Sequence, residues 1–188
     1  MNKNILRRVF NRLLHLLARN CPGAMTLRPF LHKLRGVRIE GRVWVGDDVY
    51  LENEYPERVE LQNGAVLSIR SVIIAHTRGH GNVVIERNAC VGPGALVVCA
   101  AGKTLRIGEG AVISSGCVVT SSVPARIIFA PPRSVAVARA GVPFVLAKSV
   151  EEFVSHMEPL RRGKPRTPKN SGESGLDADS RSPAGTDK

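Results

Sequence analysis

Through the middle of this 188-residue chain, aliphatic residues return every six positions in runs of three. They are Ile39, Val45, Leu51, then Leu61, Leu67, Ile73, then Ile85, Val91, Val97, and finally Ile107, Ile113, Val119. Every one is Ile, Leu or Val, and the runs begin at 39, 61, 85 and 107. Four residues after each stands Val43, Val49, Tyr55, Ala65, Ser71, Thr77, Ala89, Ala95, Ala101, Ala111, Cys117 or Val123, all small or medium except Tyr55. A half-buried strand would alternate with a period of two, and an amphipathic helix would return at three and four. Six-residue spacing instead predicts a coil of three short strands, each turning one large aliphatic to a common axis, with a small residue relieving the corner. A single coil cannot bury its own apolar face, so stacked coils must supply the core. Gly46-Asp47-Asp48, Gln62-Asn63-Gly64, Arg87-Asn88, Gly92-Pro93-Gly94 and Gly108-Glu109-Gly110 fit the corners, where positive φ is often required. The pattern predicts an all-β solenoid.

Composition narrows the function. Hydrophobic residues make up 43% of the chain, enough for a core, but aromatics only 4%, which disfavours base-stacking platforms and argues against a nucleic-acid partner. Lys and Arg number 27 against 16 Asp and Glu, a net charge of +11, which points to an anionic or phosphate-bearing ligand. Cys21, Cys90, Cys99 and Cys117 form no C-x-x-C pair and no disulfide framework, so a reducing, cytoplasmic compartment is expected.

The chain resembles the hexapeptide-repeat acyltransferases over roughly residues 36–144. The resemblance rests on Val45-Gly-Asp-Asp-Val-Tyr-Leu-Glu-Asn53, Tyr55-Pro-Glu-Arg-Val-Glu-Leu61, Ile73-Ile-Ala-His-Thr77, Ile107-Gly-Glu-Gly-Ala-Val-Ile113 with Gly116-Cys-Val-Val-Thr120, and Gly141-Val-Pro143. It implies a left-handed parallel β-helix of triangular section, an exception to the right-handed crossover rule. It also implies an acetyl-CoA donor, sites between subunits of a homotrimer, and transfer to a hydroxyl of a sugar or polysaccharide precursor. Transfer to an amino sugar, or a solenoid that serves only as a scaffold or binding module, are the alternatives.

The largest polar interruption of the repeat is Ile73-Ile-Ala-His76-Thr-Arg78-Gly-His80-Gly-Asn82. By the resemblance His76 is the general base, a role that suits imidazole near neutral pH. Backbone N–H groups around Gly92 to Gly94 are expected to hold the oxyanion. By hexad phase Glu52 and Asn53, with Tyr55 close by, fall where related sugar acetyltransferases bind the acceptor. Pro93, Ser115, Thr120 and Ser121 fall beside CoA, and Lys103, Arg126, Arg133 or Arg139 can supply a cation for its phosphates, Arg133 being the first choice because Pro131-Pro132 would hold it rigidly. The family often has Thr-Lys where this chain has Thr120-Ser121, and Gly or Ala where it has Glu40, Glu52, Gln62 and Glu86. A metal on His76 and His80 would lack a third ligand, since His15, His32 and His156 lie outside the coils, so none is expected.

The ends differ in kind. Residues 1–36 are predicted to be a basic amphipathic helix and linker, ended by Pro22-Gly23, with a stripe that either packs on protein or makes peripheral contact with an anionic membrane. Residues 37–147 are the β-helix. Residues 148–163 hold a short helix from about Val150 to Leu160, opened by the capping box Ser149-Val-Glu-Glu152. Residues 164–188, rich in Ser, Pro, Gly and Asp, are expected to be disordered.

Overall fold

The computed structural model describes residues 5–77, 79–132 and 136–160. The chain divides at residue 133 into two compact units. The first is the left-handed parallel β-helix expected from the repeat, with two helices at its N-terminal end. Three parallel sheets form its faces. The first face stacks Arg38–Ile39, Val59–Leu61, Asn82–Ile85 and Thr104–Ile107. The second stacks Trp44–Val45, Val66–Leu67, Cys90–Val91, Val112–Ile113 and Ile128–Phe129. The third stacks Tyr50–Leu51, Val72–Ile74, Leu96–Val98 and Val118–Val119.

Register follows the repeat. Val45 lies opposite Leu67, Leu67 opposite Val91 and Val91 opposite Ile113, so each hexad aliphatic sits on its counterpart one coil away. Eleven of the twelve are at most 1% exposed; Ile39, at the N-terminal end, is partly buried. Val43, Val49, Ala65, Ser71, Ala89, Ala95, Ala111, Cys117 and Val123 are buried behind them.

The third corner of the first three coils departs from the expectation. Tyr55 is half-buried and Thr77 and Ala101 are exposed, because the chain leaves the triangle there and returns through a longer link. Leu51 to Leu61 and Val97 to Ile107 span ten positions, and Ile73 to Ile85 twelve, against six elsewhere. The space is filled from the return side: Val37, Val59, Val83 and Leu105, each two residues before an axial aliphatic, are at most 3% exposed. This fourth stack is ordinary strand alternation, hidden in the sequence beneath the stronger six-residue period.

At the other two corners the turn places positive φ three residues after the axial aliphatic, at Asp48, Gly64, Arg70, Asn88, Gly94, Gly110 and Gly116. Gly108 is required for a different reason. A Cβ there would lie 2.4 Å from the Ala125 nitrogen and 2.7 Å from the Pro124 carbonyl carbon, both backbone atoms of the next coil. Gly108→Ala is therefore expected to destabilise the protein by about 1–3 kcal/mol, read as a lower urea midpoint at unchanged slope.

The N-terminal region holds two helices rather than one helix and a linker: α1, Ile5–Asn20, and α2, Leu27–Leu34. Pro29 reads as a breaker in sequence but occupies the first turn of α2, where its missing N–H has no intrahelical partner to lose. The helices pack on one another and serve the end of the solenoid. The Val45 N–H donates to the Ala24 carbonyl (2.8 Å) and the Asp48 N–H to that of Arg19 (3.1 Å), while the Arg28 guanidinium reaches the Val45 carbonyl (3.2 Å) and Asp47.

In the second unit Ala138–Ala140 pairs antiparallel with Met157–Pro159, and α3 spans Val150–Ser155. Ser149 caps α3 as its sequence predicts, its hydroxyl accepting the Glu152 N–H at 3.2 Å. The helix is shorter than expected, since the chain from Met157 to Pro159 takes up strand pairing and Pro159 cannot contribute a helical N–H. Phe144 and Phe153 meet edge to face at 5.1 Å. The tail from 164 and Arg133 lie outside the described residues.

Candidate active site

His76 lies just past the third-face strand Val72–Ile74, where the longest corner begins. An antiparallel bridge with His80 and the Gly81 N–H, which donates to the Ala75 carbonyl at 2.7 Å, fold the corner back on itself. Thr77 pins it to the next coil, its hydroxyl donating to the Cys99 carbonyl at 2.7 Å. At Gly81 a Cβ would meet the Cys99 sulfur and the Ala100 carbonyl oxygen, both at 2.7 Å, so the loop can lie flat there only with glycine.

Beneath the imidazole stands Glu52, one coil earlier. Its Oε2 is 2.7 Å from His76 Nδ1 and accepts the Ala75 N–H at 2.8 Å. Its Oε1 accepts the N–H groups of Glu54 and Tyr55 at 2.9 and 3.2 Å. Both oxygens act as acceptors, as those of an ionised carboxylate do. The Glu52 side chain is 0% exposed while that of His76 is 38% exposed, so the pair presents imidazole to solvent and keeps the carboxylate behind it. The carboxylate takes the Nδ1 proton in its hydrogen bond and leaves Nε2 as the ring nitrogen free to accept another.

A buried guanidinium fixes the chain at Glu52. Arg35, 1% exposed, donates to the Leu51 and Glu52 carbonyls at 2.5 and 2.8 Å, to His32 Nδ1 at 3.1 Å, and to Asn53 Oδ1 at 3.4 Å. Burial lowers the Arg35 pKa to about 10, and the nearby Glu52 carboxylate opposes the drop.

Above the third face a cleft of about 510 Å³ opens, floored by Tyr50, Val72 and Ile74. His76 and Thr77 line it where the strands end, and Asp48 and Arg70 where they begin. Arg19 of α1 also lines it, its Nε donating to Asp48 Oδ1 at 2.7 Å, and Arg70 lies 3.8 Å from the same carboxylate. Burial raises the Tyr50 pKa, and the Glu52 charge pushes it the same way.

The residues expected at an acceptor site are brought together, in altered places. Glu52 has no exposed surface to offer an acceptor. Asn53 is half-buried beside Arg35. Tyr55 stands edge-on to His76 and His80, with ring centroids 5.8 and 4.1 Å away. The four described residues assigned to CoA are exposed but spread out. Pro93 and Ser115 stack on the corner between second and third faces, and Thr120 and Ser121 follow the third face in the last full coil. The Gly92 and Gly94 N–H groups donate to the Ile113 and Ile69 carbonyls at 2.8 and 3.0 Å, which leaves neither to hold an oxyanion.

Sequence reasoning missed Arg35 and the role of Glu52 behind the histidine. One signal was present: Glu52 is one of four polar residues, with Glu40, Gln62 and Glu86, standing where the resembled family's repeat has Gly or Ala, and only the pairing of Tyr50 and Leu51 with Val72 and Ile73 singles it out.

Fold and site together define a three-sided parallel β-helix that carries a carboxylate-backed histidine at the edge of an open cleft. No protein-family model matches the sequence, and no curated protein matches it. Among solved structures, serine acetyltransferase isoform 3 from Entamoeba histolytica, in complex with cysteine, is similar at 15% identity and a TM-score of 0.30. The alignment covers 68% of this chain and 47% of that one, so this chain spans less than half the length of that enzyme.

Proposed function

We propose that this protein is a CoA-dependent O-acyltransferase, with acetyl-CoA as donor and a hydroxyl of a sugar or polysaccharide precursor as acceptor. The observation that carries the reading is the 2.7 Å contact between buried Glu52 and half-exposed His76 at the cleft edge. In this reaction His76 Nε2 takes the proton of the acceptor hydroxyl as its oxygen attacks the thioester carbon. The same imidazolium returns the proton to the departing CoA thiolate when the tetrahedral intermediate collapses. Glu52 never touches substrate. It holds the ring and stabilises the positive charge that forms on it. Asn53 and Tyr55 are the acceptor-side residues next to the pair, and Arg70 and Arg19 give the cleft a cationic end.

Pro93, Ser115, Thr120 and Ser121 are proposed to lie along the pantetheine, and Arg133 to meet the CoA phosphates. Within one chain, Pro93 and Ser115 occupy a different corner from His76, and in this reading a neighbouring copy brings the two corners to one donor. This separation supports a homotrimer with the cleft closed by the neighbouring copy.

The test is thiol release from acetyl-CoA by the purified full chain against a panel of sugars and amino sugars, alongside calorimetric titration with acetyl-CoA. Release with a hydroxyl acceptor supports the reading, and release with amino sugars alone replaces it with N-transfer. Absence of acetyl-CoA binding at millimolar concentration would turn the protein into a scaffold.

A further inference from the structure

The helices at the N-terminal end are inside out. In α1 the buried residues are Asn11, Leu14, His15 and Ala18, mostly polar or small. The large apolar residues face away from the protein: Ile5 is 79% exposed, Leu6 84%, and Phe10, Leu13, Leu16 and Leu17 between 52% and 57%. The short α2 repeats the inversion, burying Arg28, Pro29 and His32 while Phe30 and Leu34 stand 55% and 52% exposed. An amphipathic helix ordinarily turns its apolar stripe to the core. Here two helices packed on one another each carry exposed apolar residues that nothing in the described chain covers.

The charges beside this surface say what covers it. At 100° per residue, Arg8, Arg12 and Arg19 fall along one margin of the α1 apolar arc, and Arg7 falls beyond the other. Glu54 lies 3.8 and 3.6 Å from Arg8 and Arg12. Residues 5–39 contain eight Arg or Lys and no Asp or Glu. A wide apolar face bordered by long cationic side chains matches a layer of acyl chains beneath anionic headgroups. A second copy meeting this face with its own would bring the same cations together. Among the described residues no helix is long and apolar enough to cross a membrane, which fits a helix lying in the interface plane.

We propose that the outward faces of α1 and α2 form a docking surface for an anionic lipid bilayer, with the apolar residues among the acyl chains and Arg7, Arg8 and Arg12 at the headgroups. Flotation of the full chain with phosphatidylcholine vesicles, with and without phosphatidylglycerol, tests it in the absence of any acyl donor. The result therefore stands apart from that of the transfer assay. Expected are strong binding to the anionic vesicles, weak binding to the neutral ones, and loss of binding at high salt. Leu13→Ser with Leu17→Ser should lower partition at least about tenfold, since two exposed leucines are lost from the lipid phase. Arg7→Gln should lower it about fivefold on anionic vesicles and leave neutral ones unaffected. These side chains are exposed, so circular dichroism should not change. Should the double variant fail to fold, the salt series and Arg7→Gln decide alone. Equal binding to both vesicle types, no binding to either, or a Leu13/Leu17 variant that loses a self-association seen by sedimentation while vesicle binding persists would each overturn the proposal.

Discussion

Replacing Glu52 by Gln is expected to reduce turnover about 10²–10⁴-fold, close to the effect of His76→Ala, while acetyl-CoA affinity changes little. The carboxylate accepts four hydrogen bonds, two on each oxygen, counting that from His76. Gln offers only one accepting oxygen. If that oxygen keeps the Glu54 and Tyr55 N–H groups, the amide NH₂ faces the Ala75 N–H and His76 Nδ1. Nδ1 must then accept, the ring proton moves to Nε2, and the atom that should take the acceptor's proton already carries one. The opposed donors also cost about 1–3 kcal/mol of stability. A structural role alone would lower stability without moving the ring proton. The deciding measurement is therefore the ¹⁵N shift pair of His76, which should exchange its protonated and unprotonated nitrogens in Glu52→Gln. The double variant should be no slower than His76→Ala, because the two residues act as one unit. Turnover within tenfold of the parent protein in either single variant would sink the assignment.

The second large effect is acid lability, centred on His15 and His32. Burial, reinforced by the Arg35 charge, lowers the His15 pKa to about 3 and holds that of His32 well below its usual 6.5. Neither nitrogen of His15 has a hydrogen-bond partner among the described residues, and neither does His32 Nε2. His15 instead packs edge-on to Tyr50, with ring centroids 4.8 Å apart. The sign follows from linkage. Above pH 6.5 both histidines are neutral folded and unfolded, and contribute no slope. Below it the unfolded chain takes up protons that the folded one refuses, so stability falls as pH falls, by up to about 1.4 kcal/mol per unit for His15, with His32 adding in the same direction. Between pH 6.5 and 5 His15 alone removes roughly 1.5–2 kcal/mol, before most carboxylates titrate, and His32 acts in the same direction. For His15 the loss ends near its folded value of about 3. His15→Leu, which takes away two unpartnered nitrogens, should lower the slope of unfolding free energy against pH in that window by up to about 1.4 kcal/mol per unit. An unchanged slope in urea titrations of the variant would show that His15 is not the group responsible.

How much of this was legible beforehand depended on whether a feature is local. The winding was legible because a side chain's direction in a short strand is set within six residues, so the axial aliphatics and the small residues behind them mark each turn. The turn conformations were legible for the same reason, as at Gly64 and Gly94, where the expected corner glycines have positive φ. His76 stood out because it interrupts the repeat. Glu52 was legible as a residue near the site but not as the group behind the histidine. The two are 24 positions apart, and only the pairing of Tyr50–Leu51 with Val72–Ile73 brings the carboxylate under the ring.

The amphipathic stripe of α1 was equally plain in sequence, yet its direction was not. A stripe states that two sides differ, and which side turns inward depends on what it meets. Here the end of the solenoid presents polar backbone, including the carbonyls of Val45, Leu51 and Glu52, so α1 turns His15, α2 turns Arg28 and His32, and the residue that caps α2, Arg35, turns with them toward it. The sequence by itself determined the repeat, its three-sided winding and the histidine that breaks it, since each is written in residues close together. Only the tertiary structure decided the partner of that histidine and the outward face of the helices, because both are set by contacts between coils and with the capped end, which local spacing does not encode.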